Sequence, residues 1–251
     1  MLRTPLTVLT VAVAALASRD AFADRRAMKA LACVLALPLA FVGWQWWGDH
    51  SAERALSPVA SEIAGRRVTV SCQSLWGSLL DVQARHGEVR FDAAGVPEPR
   101  IFLTRDTCRR LRAYRGHARH LALDCLRSLD WQAAQPLSPT SACYAESSDT
   151  IYALLVLAHE AYHTAGVTNE ATANCYAIQA MAYAAVRLGA AEDEARLTAR
   201  AMAALEPYQR GAYATSECRH GTALDLRPET PDFPSEPRLS APRGLGGAGL
   251  G

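Results

Sequence analysis

Residues 151–163 read I-Y-A-L-L-V-L-A-H-E-A-Y-H, an unbroken apolar run that ends in two histidines with a glutamate beside the first. Such a run offers water no polar face, so as a helix it must lie in the middle of a fold with neighbours on every side. Ala161 and Tyr162, between the histidines, fit the same buried helix. Residues four apart on a helix differ by about 40° and one turn of rise, so His159 and His163 project toward a common point. That point can hold a zinc ion, and Glu160 flanks the same face, where it can reach a water without binding metal itself.

The elements around this helix follow from local signals. Gly166 stands where a helix end calls for a left-handed residue, and the chain can turn there to bring the next segment back over the histidines. Asn169 to Gly189 then reads as a second amphipathic helix and Glu192 to Leu205 as a third, stopped by Pro207. Glu170, at the start of the second helix, supplies an anionic oxygen ligand and leaves a fourth metal position open for water or substrate. A carboxylate at a helix start is also favoured by the macrodipole alone, so Glu170 has a purely structural reading as well. Upstream, R-V-T-V-S-C at 67–72, G-E-V-R-F at 87–91 and R-I-F-L-T at 100–104 predict a small sheet. Thr107 to Leu129 carries Leu and Cys at helical intervals, and Q-P-L-S-P-T-S at 135–141 breaks that pattern. The fold class expected is α+β, mostly α.

The arrangement resembles the zincin metallopeptidases, and within them the gluzincin branch of thermolysin-like enzymes, whose third ligand is a glutamate on a second helix. Asn169, Glu170 and Asn174 match that branch's N-E-x-x-x-D pattern. The resemblance implies Glu170 as third ligand, Asn174 as the group that orients His159, and a fold in which the H-E-x-x-H helix packs on a second metal-binding helix. Two features depart from the pattern: the spacer from His163 to Glu170 is much shorter, and Asn174 replaces an aspartate. The metzincin H-E-x-x-H-x-x-G-x-x-H is similar through Gly166, but Asn169 occupies the place of its last histidine. Together with E-A-x-A-x-C-Y-A-x-Q from Glu170 and C-x-x-G-x-A-L-D-L from Cys218, the chain looks like exported zincin-like proteins of high-GC bacteria.

The N-terminal part bears on location. Residues 28–47 form an apolar run with Arg25, Arg26 and Lys29 before or at its start and Trp44, Trp46 and Trp47 at its end. That length and those flanks predict a single-pass membrane anchor with the C-terminal domain extracytoplasmic. Two alternatives stay open: cleavage of a signal peptide after A-F-A at 21–23, and a true start at Met28; both still export the rest. Residues 1–27 are then an N-terminal extension or signal-like segment, 48–65 a stalk or leading helix, 66–226 the zincin-like domain, and 227–251 a Pro/Gly-rich disordered tail. Six cysteines follow the apolar run, Cys72, Cys108, Cys125, Cys143, Cys175 and Cys218, with Cys33 inside it. An even number outside a membrane predicts disulfides, with fifteen pairings open.

With 26 basic and 25 acidic residues, the chain has no cationic surplus to hold a phosphate backbone, which argues against nucleic acid as a partner. The expected function is a membrane-anchored zinc-dependent peptidase: zinc on His159, His163 and Glu170, Glu160 as general base, and a peptide or protein substrate at the cell surface. The rival is a non-catalytic exported domain that uses the same helix pair to bind zinc or a partner. His220, Tyr162 and Tyr176 are candidates for stabilising an oxyanion, each with a surface or core reading beside it. His117 and His120 lie among arginines, and His50 and His86 offer no partner in the sequence.

Overall fold

The computed structural model describes residues 25–74, 77, 86–116, 123–131, 133, 136–230 and 233–234. Residues 1–24, including A-F-A at 21–23, as well as His117, His120 and most of the expected tail, lie outside the described residues. The chain divides into two units, residues 1–48 and 49–251. Helix α1 (Arg25–Ala64) is followed by strands β1 (Thr69–Cys72), β2 (Gly87–Phe91) and β3 (Pro97–Leu103). Helices α2 (Arg105–Gly116), α3 (Leu123–Arg127), α4 (Ala142–Thr164), α5 (Glu170–Arg187) and α6 (Glu192–Leu205) come next, then short 3-10 turns at Glu206–Tyr208 and Gly211–Tyr213. The fold is α+β and mostly helical.

The expected membrane anchor over 28–47, and with it the cell-membrane location, is not supported. Among the described residues no helix is both long and apolar enough to cross a membrane. The apolar stretch is one part of the 40-residue α1, which continues through polar residues from Asp49. In the first unit Leu37, Val42, Trp44 and Trp47 are exposed.

In the second unit, residues 49–64 belong to the core. Leu56, Val59, Ala60 and Ile63 are buried on one face of that helix. The adjoining face closes the edge of the sheet: Ser61 Oγ, Ser57 Oγ and Glu53 Oε1 accept the backbone N–H groups of Val68, Val70 and Cys72 at 2.9, 2.9 and 2.8 Å. Acceptors at helical positions i, i+4 and i+8 thus meet every second amide from Val68 through β1. An edge that would otherwise invite pairing with another chain is blocked.

The sheet order is β1-β3-β2, with β1 parallel and β2 antiparallel to β3. The second edge of the sheet is therefore β2. The Thr104 N–H donates to the His86 carbonyl at 3.0 Å. Antiparallel ladders alternate, so the pair Glu88 and Phe102 is the next bonded one, and the amides of Gly87 and Val89 point away from β3. Among the described residues no strand pairs with that edge.

Helix α4 runs through the centre, against α2, α5, α6, β2 and β3. Its apolar run is buried as the sequence requires: Ile151, Leu154, Leu157, Ala158 and Ala161 have no accessible surface. The helix starts earlier than its apolar pattern, at Ala142, because Ser141 accepts the Tyr144 N–H and caps it. Over the expected helix 107–129 the described residues hold α2 up to Gly116 and α3 from Leu123. Three disulfides, Cys72–Cys108, Cys125–Cys143 and Cys175–Cys218, tie β1 to α2, α3 to α4, and α5 to the C-terminal segment. Bridges of this kind persist in oxidising compartments.

Candidate metal centre

The end of α4 is built so that His163 is aimed. Gly166 has φ +97° and lets the chain reverse: the Val167 N–H donates to the Tyr162 carbonyl at 3.1 Å and the Gly166 N–H to the His163 carbonyl at 3.0 Å. This is a Schellman turn. It folds the Val167 carbonyl back beneath the imidazole, where it accepts a hydrogen bond from His163 Nδ1 at 2.6 Å. A carbonyl only accepts, so Nδ1 carries a proton, which leaves Nε2 as the nitrogen that can face a metal.

Asn169 caps the next helix, its side chain accepting the Thr172 N–H at 2.9 Å. Glu170 becomes the first residue of α5 and reaches back across the turn. Its Oε2 lies 3.0 Å from His159 Nε2 and 3.4 Å from His163 Nε2, and the two Nε2 atoms are 2.9 Å apart. The structure thus brings together all three residues expected to bind metal. His159 and His163 are buried, while the Glu170 side chain is 40% exposed.

Three potential ligand atoms, His159 Nε2, His163 Nε2 and Glu170 Oε2, meet here. A cation would satisfy all three together. Ligand atoms about 2.0–2.1 Å from a tetrahedral ion lie about 3.3 Å from one another, close to the separations found here. The donor set of two imidazoles and one carboxylate suits a divalent first-row metal with positions left open. Burial first, and then neighbouring His163, hold the His159 imidazole below its ordinary pKa, so it is neutral and free to ligate.

The group lies in a cavity of about 830 Å³ between α4, β2 and the C-terminal segment. Glu160 lines the same cavity, is 7% exposed and, among the described residues, has no hydrogen-bond partner for its carboxylate. Burial, then the charges of Glu170 and Glu88, push that carboxyl up to about 8 in the metal-free protein. A cation beside it has the opposite effect. Among the described residues no arginine or lysine lines the cavity.

Of the other candidates among the described residues, Asn174 and His86 line this cavity and the rest do not. Asn174 is buried at the cavity wall, and its Nδ2 donates to the Tyr213 carbonyl at 3.4 Å. Its hydrogen bond therefore goes to the C-terminal segment. His220 pairs with Asp225 at 3.1 Å and does not line the cavity. Tyr162 and Tyr176 pack on each other with ring centroids 5.3 Å apart, also away from it. His50 lies 3.3 Å from Glu53, whereas His86 lines the cavity and accepts the Thr107 hydroxyl at its carbonyl, 3.0 Å away.

Residues without a signal in the sequence complete the site. Tyr213 enters on the C-terminal segment, its ring 5.8 Å from that of His159. That segment is fastened to α5 by Cys175–Cys218 and by Gln179, whose Nε2 donates to the Leu224 carbonyl and whose Oε1 accepts the Leu226 N–H, each at 2.8 Å. The two motifs singled out in the sequence, from Glu170 and from Cys218, are thus two sides of one clamp. Val167 acts through its backbone, which no side-chain pattern reports. No protein-family model, curated protein or solved structure matches the chain.

Proposed function

We propose that the protein is a zinc-dependent peptidase of zincin-like build, with His159, His163 and Glu170 as ligands and Glu160 as general base. The observation that carries this reading is the meeting of His159 Nε2, His163 Nε2 and Glu170 Oε2 within 3.4 Å, beside a buried carboxylate that has no hydrogen-bond partner among the described residues. A structural metal site is closed by four protein ligands, whereas three ligands and an open cavity leave room for reactants. Bound zinc supplies Lewis acidity: it polarises a carbonyl and acidifies a water. Glu160 takes a proton from the attacking water and passes it to the departing amine as the C–N bond breaks.

A peptide fits better than a smaller amide because of β2. Its outward amides at Gly87 and Val89 border the cavity, while the opposite edge of the sheet is closed by α1 side chains. An extended chain laid on β2 would find backbone partners at the place where the metal group lies.

The test is Glu160→Gln, which keeps the shape and removes the base. Wild type should cleave members of a peptide library or unstructured proteins. The variant should lose on the order of a thousandfold or more in turnover while keeping its zinc. Equal behaviour of the two proteins, including inertness of both, would favour the non-catalytic metal-binding domain.

A further inference from the structure

Among the described residues Glu160 has no hydrogen-bond partner, and what confines it is the backbone of β2. A Cβ built on Gly87 would lie 2.9 Å from Glu160 Cγ, 2.9 Å from Val156 Cγ1 and 3.1 Å from Glu160 Oε1. Val156 and Glu160 are one turn apart on α4, so the strand presses on that turn at Gly87. The glycine is not required by backbone conformation, since its φ is not among the positive ones. Space requires it. Glycine weakens a strand interior and marks a place where another group approaches closely.

We propose that Gly87 is a positioning residue for the hydrolytic reaction, acting through Glu160. Without a side chain, β2 closes over the glutamate and leaves its carboxylate one direction, into the cavity beside the metal group. Confinement by packing has a chemical advantage over a hydrogen bond. A donor on the carboxylate would stabilise its charge and weaken it as a base, whereas contact with Cα and Val156 restricts rotation and leaves both oxygens available. The same contact brings the free amides of Gly87 and Val89 to the rim of the cavity, so one glycine sets the spacing of base and substrate edge. A methyl group here must push Glu160 aside or lift the strand, because two of the contacts are below 3.0 Å.

The inference rests on the peptidase reading, and its test separates the two. Zinc affinity, thermal midpoint, kcat and KM are measured for wild type, Gly87→Ala, Glu160→Gln and the double variant. Gly87→Ala should bind zinc as wild type does and lose about 10- to 100-fold in kcat, the effect of displacing a reacting group by about 1 Å, with KM changed less than about threefold. Added to Glu160→Gln it should cost nothing more, since the group it positions is already removed. A crystal structure of Gly87→Ala should show the Glu160 carboxylate displaced. Should Gly87→Ala fold poorly, Gly87→Ala with Val156→Ala removes the Val156 contact and leaves the one to Glu160; its folding should recover and its kcat should stay low. Unchanged kcat, a change confined to KM, recovery of kcat with Val156→Ala, or independent effects in the double variant would each overturn the inference. If wild type and Glu160→Gln are equally inert, the peptidase reading fails and this role falls with it.

Discussion

Replacing Gly166 by alanine tests whether the turn after α4 serves the metal site or only ends a helix. At φ +97°, with nothing within 4 Å of an added Cβ, the substitution meets no steric obstacle and costs only left-handed strain. That strain is about 1–2 kcal/mol, which for a chain of this length lowers the thermal midpoint by about 2–8 °C. Gly189 is an internal control. It ends α5 in the same turn, with φ +104°, Ala190 N–H donating to Ala185 at 3.0 Å and Gly189 N–H to Val186 at 2.9 Å. Alanine there should cost about as much stability. The two variants should part in zinc affinity, measured by competition with a chelating dye. Relief of that strain at Gly166→Ala moves the Val167 carbonyl from beneath His163 and should weaken binding by about 10- to 100-fold, the usual effect of losing a ligand's outer hydrogen bond. Gly189→Ala should bind as wild type does. Equal zinc affinity for both variants, with equal losses of stability, would refute the idea that the turn orients His163.

Two other outcomes concern the scaffold. Burial alone would raise the Glu62 carboxyl, but hydrogen bonds from Arg187 and Tyr183 outweigh it and hold the group below its ordinary value of 4.5. A lowered folded value means that this contribution to stability is present above about pH 4.5 and is lost as pH falls through the folded value, so Glu62→Gln should flatten the acid side of a stability–pH curve. The Cys175–Cys218 bridge closes a span of 43 residues, so replacing both cysteines by serine should cost about 4 kcal/mol in urea denaturation. Denatured, unreduced protein made in an oxidising compartment should titrate one thiol, Cys33.

Much of the centre was legible in the sequence because its signals are local. Helical spacing places His159 and His163 on one face, an apolar run demands burial, Gly166 marks a left-handed turn and Asn169 a cap, and all four act within a few residues of where they stand. The three strands were also legible from β-branched alternation and turn residues. Cysteine number predicted bridges, but their pairing depends on which elements meet in space, and Tyr213 could not be placed beside His159 without knowing that Cys218 joins Cys175. Gly87 carried a weak signal, a glycine opening a strand, with no hint of what approaches it. Asn174 matched a family pattern, yet its hydrogen bond goes to the Tyr213 carbonyl, on a segment whose position no local rule supplies. The apolar run at 28–47 has the length and flanks of an anchor, yet it belongs to a longer helix: α1 continues to Ala64 and buries its last turns in the core.

The claim on which the rest depends is that His159, His163 and Glu170 hold one metal ion. Elemental analysis of the protein purified without chelator, alongside His163→Ala and Glu170→Gln, tests it directly. The account expects one zinc per chain in wild type, none in His163→Ala, and an affinity lowered by orders of magnitude in Glu170→Gln with the fold intact. Wild-type protein that contains no metal and takes up none when zinc is added would contradict it.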